Sequence, residues 1–226
     1  MEHKISVAID GPSGAGKSTV AKAIAKEFGF IYVDTGAIYR TVGLAAQYAE
    51  VDSKDAVGVI ALLPEIHIDI CYDENGLQHM MLNGEDVSAE IRTPRSSIYA
   101  SDVSAIPEVR AFLMDMQRDM AKKHSVIMDG RDIGTVVLPD AELKIFLTAS
   151  AEERARRRYL ELRGKGTEVT YDEVLRDIEY RDQQDSSRTA APLKPAEDAV
   201  FVDNSELNFE ESVAAVAALV REKLDA

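Results

Sequence analysis

The run Gly11-Pro12-Ser13-Gly14-Ala15-Gly16-Lys17-Ser18 constrains this chain more than any other feature, because it satisfies the pattern G-x-x-x-x-G-K-[ST]. A strand-like stretch precedes it over 5–10 and a helical pattern follows over 19–28. In that context the pattern has a mechanism. Its glycines let the main chain wrap an anion with N–H groups, and the helix behind them adds the positive end of its dipole. Lys17 brings a charge to the β- and γ-phosphates, and the Ser18 hydroxyl is a ligand for Mg²⁺. The residues Gly11, Pro12, Ser13, Gly14, Ala15, Gly16, Lys17, Ser18 and Thr19 therefore read as a nucleoside triphosphate site. The motif leaves open what receives the phosphate.

Such a loop needs a parallel sheet around it. Five short apolar runs, over 5–10, 30–34, 125–129, 143–148 and 199–203, alternate with helical patterns. Nearly continuous apolar strands separated by helices predict a parallel sheet covered on both faces. The expected fold is thus α/β, a three-layer P-loop fold with a five-stranded parallel sheet. Four of the runs end in aspartate (Asp10, Asp34, Asp129 and Asp203), at the carboxyl ends where such sheets bind ligands. Helix starts are marked at Ser150, Thr170 and Asn208, each a capping residue three before a glutamate. Between the second and third runs, 66–70 alternates, Asp73-Glu74-Asn75-Gly76 turns, 77–82 follows, and Asn83-Gly84 turns again. That pattern predicts a small antiparallel meander inserted into the core.

The chain has 226 residues, 46% apolar and 29% charged, which suits one soluble domain with insertions better than two equal halves. No apolar run is long enough to span a bilayer, and Met1-Glu2-His3-Lys4 lacks the charged-then-apolar start of an export signal. A single cysteine excludes an internal disulfide framework, so a cytoplasmic protein without a membrane partner is expected. Cys71 itself, between Ile70 and Tyr72, reads as a small buried hydrophobe. The net charge of −14 argues against binding nucleic acid. Yet Arg154, Arg156, Arg157, Arg158 and Arg163 crowd together, and Arg176, Arg181 and Arg188 follow. One arginine cluster in an acidic chain points to a small, multiply anionic ligand held in a pocket. His3, His67, His79 and His124 are dispersed and read as structural or solvated, and the methionine groups Met80-Met81 and Met114, Met116 and Met120 as core filler.

Absences narrow the acceptor. There is no Asn-Lys-x-Asp for reading guanine and no Leu-Ser-Gly-Gly-Gln transporter signature. What remains are acids and arginines near strand ends. Asp34-Thr35-Gly36-Ala37-Ile38-Tyr39-Arg40 follows the second strand, and Asp129-Gly130-Arg131-Asp132 follows the third. Arg181, Asp185 and Arg188 are spaced to share one helical face. The plain alternatives are a surface ion ladder and a strand-ending turn with solvated charges. The ladder is weakly motivated, since Arg before Asp is the poorer orientation and such a pair contributes only ~0.3 kcal/mol.

Together with Gly84-Glu85-Asp86-Val87-Ser88, Ile91-Arg92-Thr93 and the stretch 181–192, these segments resemble bacterial cytidylate kinases, a family of nucleoside monophosphate kinases. The likeness runs nearly the full length and includes the meander. It implies transfer of a phosphoryl group from ATP to CMP or dCMP, with Mg²⁺, by a cytosolic monomer whose partners are small molecules. It also implies three parts: a core, a monophosphate-binding insertion over about 37–100, and a helical lid over about 152–182. Carried over by position, the CMP phosphate falls on Arg40, Arg131 and Arg188, and cytosine on Ser101, Arg110 and Asp132. The pentose falls on Arg181 and Asp185, and Thr35 stands where the family often has serine. Lys17, Arg131 and Arg188 are expected at the transferring phosphate, joined by Arg154 and Arg158 from the lid. Asp34 and Asp129 are expected to orient Mg²⁺-bound water behind Ser18.

Chemistry supports the base reading independently. A carboxylate accepts from the cytosine N4 amino group while an arginine donates to N3 and O2, and uracil would turn an acceptor toward Asp132. Two other classes stay open on the residues alone: a P-loop kinase acting on a sugar or shikimate-like acceptor, and a nucleotide-dependent switch with no acceptor. The meander and Asp-Gly-Arg-Asp favour the nucleotide acceptor, and the crowded arginines disfavour the switch.

Overall fold

The computed structural model describes residues 4–225. The chain opens with β1 (Ser6–Asp10), α1 (Lys17–Phe28), β2 (Ile31–Asp34), α2 (Thr35–Tyr48) and α3 (Ala56–Leu62). A three-strand excursion follows as β3 (Ile68–Tyr72), β4 (Gln78–Leu82) and β5 (Glu85–Asp86), and then α4 (Pro94–Ser104) and α5 (Pro107–Lys123). The core resumes with β6 (Val126–Gly130), a π turn (Ile133–Val137) and β7 (Leu143–Thr148). A helical hairpin, α6 (Ala151–Gly164) and α7 (Tyr171–Ser187), precedes β8 (Val200–Asp203) and α8 (Phe209–Leu224).

All pairings in the main sheet are parallel, in the order β2-β6-β1-β7-β8. Alternation along the strands divides the core into two layers. Val7, Ile9, Tyr32 and Ile127 pack with Val20 and Ile24 of α1 and Val216 and Val220 of α8. Ala8, Val33 and Met128 face the other way, toward Ile38 of α2, Val103 of α4 and Leu113 of α5. All five predicted strands are present with ends within one residue of the expectation. The predicted caps are present too: Ser150 accepts from the Glu153 N–H, and Thr170–Glu173 and Asn208–Glu211 close reciprocal capping boxes.

The meander forms a separate antiparallel sheet in the order β3-β4-β5. Its inner face carries Ile68, Met80 and Leu82 into the core. Cys71 lies on the outer face and is exposed, so its predicted burial is corrected. Strand alternation puts it beside Asp69 rather than Ile70, a phase that apolar neighbours on both sides conceal. The hairpin of α6 and α7 has a small core of its own, Ala155, Leu162, Val174 and Ile178. His67 pairs with Asp69 and His79 with Asp86 on the meander surface, and His3 lies outside the described residues. Among the described residues no helix is long and apolar enough to cross a membrane.

β1 lies between β6 and β7, so the crevice beyond its carboxyl end is where the strand order reverses and the ligand site of such sheets opens. Gly11 turns the chain there with φ +151°, and a Cβ on it would lie 1.9 Å from the Leu147 carbonyl oxygen. Asp10, just before it, is buried and accepts from the N–H groups of Ile133 (2.7 Å) and Gly134 (2.8 Å), tying the end of β1 to the π turn.

Two outcomes follow from these contacts. Gly11→Ala has no room to relax and should cost on the order of 3 kcal/mol in urea denaturation. Burial pushes the Asp10 carboxyl up to about 6 from 3.8, against the pull of its two backbone bonds. Between those values the folded chain keeps a proton that the unfolded chain has released, so ionising Asp10 lowers stability as pH rises through the window. The difference in urea midpoint between Asp10→Asn and wild type should therefore move in the variant's favour as pH rises, whereas a constant difference contradicts this.

Candidate active site

The loop after β1 is shaped by what holds its carbonyls. Arg154 Nη1 donates to Ser13 O at 2.9 Å and Asn204 Nδ2 to Ala15 O at 3.0 Å. In a planar peptide the N–H points opposite the C=O, so the N–H groups of Gly14 and Gly16 are turned the other way, toward a cleft of about 600 Å³ that both residues line. Lys17 Nζ donates to Pro12 O at 2.7 Å. Burial, with the charge of Arg131, pushes the Lys17 ammonium down to about 7. Negative charge brought beside it would raise it back toward its ordinary value and favour the ammonium form.

Beneath the loop, Asp129 at the end of β6 accepts from Ser18 Oγ (2.9 Å) and Tyr32 OH (2.8 Å), and its backbone oxygen accepts from Thr35 Oγ1 (2.7 Å). Burial and the neighbouring Asp34 charge raise the Asp129 carboxyl above its ordinary value. A hydroxyl and a buried, under-compensated carboxylate are hard oxygen donors of the kind a divalent cation accepts together with phosphate oxygens. Among the described residues no group of three or more His, Cys, Asp or Glu converges to cage a metal alone. Gly130 follows at a close approach: a Cβ there would lie 2.6 Å from Ile133 Cδ1 and 2.8 Å from Thr35 Oγ1.

Across the cleft the arginines sort into two groups. At one end Asp132 is held between Arg110, with which it makes a very close buried pair, and Arg188 Nη2 at 3.3 Å. Arg188 also reaches Ser104 Oγ (3.0 Å) and Ala191 O (2.7 Å). The second group lies between that end and the loop. Arg131 Nε donates to Asp185 Oδ2 at 2.6 Å, and Ser101 Oγ to Asp185 Oδ1 at 3.4 Å. Arg40 (3.1 Å) and Arg92 (2.9 Å) share Asp34 Oδ2. Arg181 is buried beside Arg131, Arg40 and Arg158, and burial together with the Arg131 charge pushes it down to about 10. The Nε groups of Arg40 and Arg181 are buried without an acceptor. Both arginines line the same cleft as the glycine loop, and guanidiniums with N–H groups to spare are suited to an anion.

Most of the predicted residues meet in this one cleft: Ser13, Gly14, Gly16, Lys17, Ser18, Thr19, Thr35, Arg40, Ser101, Arg110, Arg131, Asp132, Arg158, Arg181, Asp185 and Arg188 all line it. Gly11, Pro12 and Ala15 lie behind the wall as buried parts of the turn. Neither a surface ladder nor a solvated turn describes Asp185 and Asp132, each 4% exposed.

Three placements differ from the expectation. Arg154 does not face the cleft: it is buried, with its guanidinium taken up by Ser13 O, Ala149 O and Asp182. Standing at the start of α6, it is close enough to the loop for backbone carbonyls to claim its donors first. Arg188 stands with the pair Asp132–Arg110 rather than with Arg40 and Arg131, because it caps the end of α7 over Ser104. Asp34 caps α2 through the Ala37 N–H and anchors two arginines instead of facing Ser18. Burial opposes its ionisation, but Arg40 and Arg92 outweigh it and hold the carboxyl below the usual range.

Sequence reasoning misses Arg92, Arg157, Asn204 and Gln78. Arg157 reads as one of several solvated arginines, yet it bonds Asn204 O (2.7 Å) and Oδ1 (3.1 Å), clamping α6 to the loop after β8. Only the motif Ile91-Arg92-Thr93 carries a signal for Arg92.

Comparison with known proteins identifies the family. A family model described as cytidylate kinase matches residues 7–222. The cytidylate kinase of Caldicellulosiruptor saccharolyticus is 52% identical over 216 residues, covering 96% of this chain and 95% of that protein. That of Carboxydothermus hydrogenoformans is 50% identical over 219 residues, covering 97% and 98%. Among solved structures, an uncharacterised protein from Eubacterium ventriosum matches with a TM-score of 0.50 at 13% identity over 99% of both chains, a likeness of fold alone. With a family match spanning almost the whole length and relatives identical at half their positions, the chain belongs to the cytidylate kinase family.

Proposed function

We propose that the protein transfers the γ-phosphoryl group of ATP to CMP and dCMP, giving CDP and dCDP. One observation carries the reading: a carboxylate buried between two guanidiniums, Asp132 with Arg110 and Arg188, stands in the same cleft as the glycine loop, with unpaired arginine donors between them. That spacing suits a molecule with a hydrogen-bonding base at one end and a phosphate at the other. Asp132 accepts from the N4 amino group of cytosine while Arg110 donates toward O2 and N3. Asp185 accepts from the sugar, and Ser101, read from the sequence as a cytosine contact, joins it there because its hydroxyl is bonded to Asp185. Ser101 donates to Asp185, so the pentose hydroxyls meet a pair that loses little if one hydroxyl is missing, in keeping with use of both CMP and dCMP.

Arg40 and Arg131 then receive the acceptor phosphate, joined by Arg181, read from the sequence as a pentose contact, in place of Arg188, which is taken up by Asp132; Lys17 with the loop amides receives the donor. Phosphoryl transfer asks a protein mainly for in-line placement and charge stabilisation. No side chain need act as general base, because the acceptor phosphate is ionised at neutral pH. Arg158, paired with its neighbour Glu161 at 2.7 Å, lines the cleft from α6 with Arg157, whose guanidinium is held by Asn204 and Glu153. The segment 152–182 serves as the lid that brings Arg158 in and excludes water, and 37–100 as the monophosphate-binding insertion. Ser18, with Asp129 behind it, would hold Mg²⁺ against the ATP phosphates, where the cation neutralises developing charge. The strongly acidic chain, −14 net, suits a cytoplasmic monomer acting on small molecules rather than on nucleic acid.

A coupled assay of ADP release with CMP, dCMP, UMP, AMP and shikimate should show turnover with the first two far above the rest. Turnover with shikimate alone would transfer the reading to another P-loop kinase, and nucleotide binding with no acceptor would leave a switch. Lys17→Ala should lose turnover on the order of 10²-fold or more, as for removal of a donor that acts in the transition state. For Asp132→Ala the measured quantity is the CMP-to-UMP ratio of kcat/KM, which should fall toward unity.

A further inference from the structure

The outer edge of the main sheet carries a contact that no part of the reaction uses. β2 pairs only with β6, so its alternate backbone groups point outward with no strand to meet them. Two side chains of the inserted sheet meet them instead. Tyr72 OH donates to Tyr32 O at 2.9 Å. The Gln78 side-chain amide accepts from Asp34 N–H at 2.7 Å and donates to Asp34 O at 3.3 Å, as a neighbouring strand would. Tyr72 and Gln78 are themselves directly opposite each other across β3 and β4, so they act as one two-pronged cap. Gln78 is 5% exposed.

The residue whose main chain Gln78 grips is the anchor of the arginine pair. Asp34 sends its carboxylate to Arg40, to Arg92 and to the first turn of α2. The clamp is tight: a Cβ on Gly36 would lie 3.2 Å from Asp34 Oδ1 and 3.4 Å from Arg40 Nη1. A shift of the Asp34 backbone therefore moves both guanidiniums together.

We propose that Gln78 is a positioning residue for the acceptor phosphate, fixing Asp34 so that Arg40 and Arg92 are aimed before substrate arrives. The inference rests on the reading that Arg40 receives that phosphate. The inserted sheet then contributes to acceptor affinity without touching the acceptor, through an amide that substitutes for a β-ladder. Gln78 makes no contact with the glycine loop, so the donor side is unaffected.

The test is steady-state kinetics on the full chain with CMP and ATP varied separately, beside thermal melts. Gln78→Met fills the same space and removes both bonds to Asp34. It should raise KM for CMP about ten-fold, in the range expected for misplacing a substrate-positioning group, with KM for ATP within about two-fold of wild type. In an Arg40→Ala background the same change should add much less than it does alone, because both act on one clamp. Tyr72→Phe removes the other prong, two residues from the clamp, and should lower Tm while leaving KM for CMP in place. If Gln78→Met lowers Tm but keeps the wild-type KM for CMP, or raises both KM values equally, the positioning role is overturned and the functional reading stands. Should Gln78→Met not fold, Gln78→Glu keeps the acceptor for Asp34 N–H and loses the donor; an unchanged KM for CMP there overturns the proposal equally. A wild-type protein with no CMP turnover overturns both readings at once.

Discussion

Guanidinium groups packed into one cleft repel one another, the more strongly where they are buried. Buried carboxylates from distant parts of the chain make the arrangement stable. Asp34 sits at the end of β2, Asp132 just past β6, and Asp185 on α7, and each is almost fully buried against one or two arginines. Burial opposes ionisation at all three, yet Asp34 and Asp185 are held below the ordinary carboxylate range by the cations around them. A buried pair of this kind is costly to break by removing one partner, which leaves an uncompensated charge. The charge balance in the cleft thus comes mainly from the protein, and the Nε groups of Arg40 and Arg181 are among the donors that it leaves without a partner.

The same arrangement explains why the two ends of the cleft differ. At the far end a single carboxylate, Asp132, is held between two guanidiniums, so that end is polar and its acid is fully engaged. Toward the glycine loop, burial and the neighbouring charges of Arg131, Arg40 and Arg158 make Arg181 more acidic than an ordinary guanidinium, so positive charge is crowded there. The two ends differ in how acids are shared out among arginines rather than in residue types.

The main-sheet strands and the helix starts were legible because each rests on a local rule: apolar runs bounded by turn residues, and capping pairs three apart. Asp10, Asp34 and Asp129 at strand ends were legible for the same reason, since a parallel sheet fixes where those ends point. Asp203, the fourth, only holds the turn at Ser205. What escaped reading depends on rotamers chosen by distant neighbours. Arg154 and Arg158 are one helical turn apart, yet one turns under the loop and the other into the cleft. Gln78 sits on a strand where a polar residue normally means solvent, and only the unpaired edge of β2, more than forty residues away, makes it buried. Cys71 fails in the opposite sense, exposed among apolar neighbours because the strand phase puts it outward.

Arg154 has a mechanical consequence. Bonded at once to Ser13 O, Ala149 O and Asp182, it pins the base of α6, so the hairpin is a beam clamped at one end. From there to Lys165 the helix makes a lever of about 16 Å, at 1.5 Å per residue. A tilt of about 10° at the clamp sweeps that far tip through about 3 Å, enough to make or break a hydrogen bond, while the fulcrum beside the glycine loop stays nearly still.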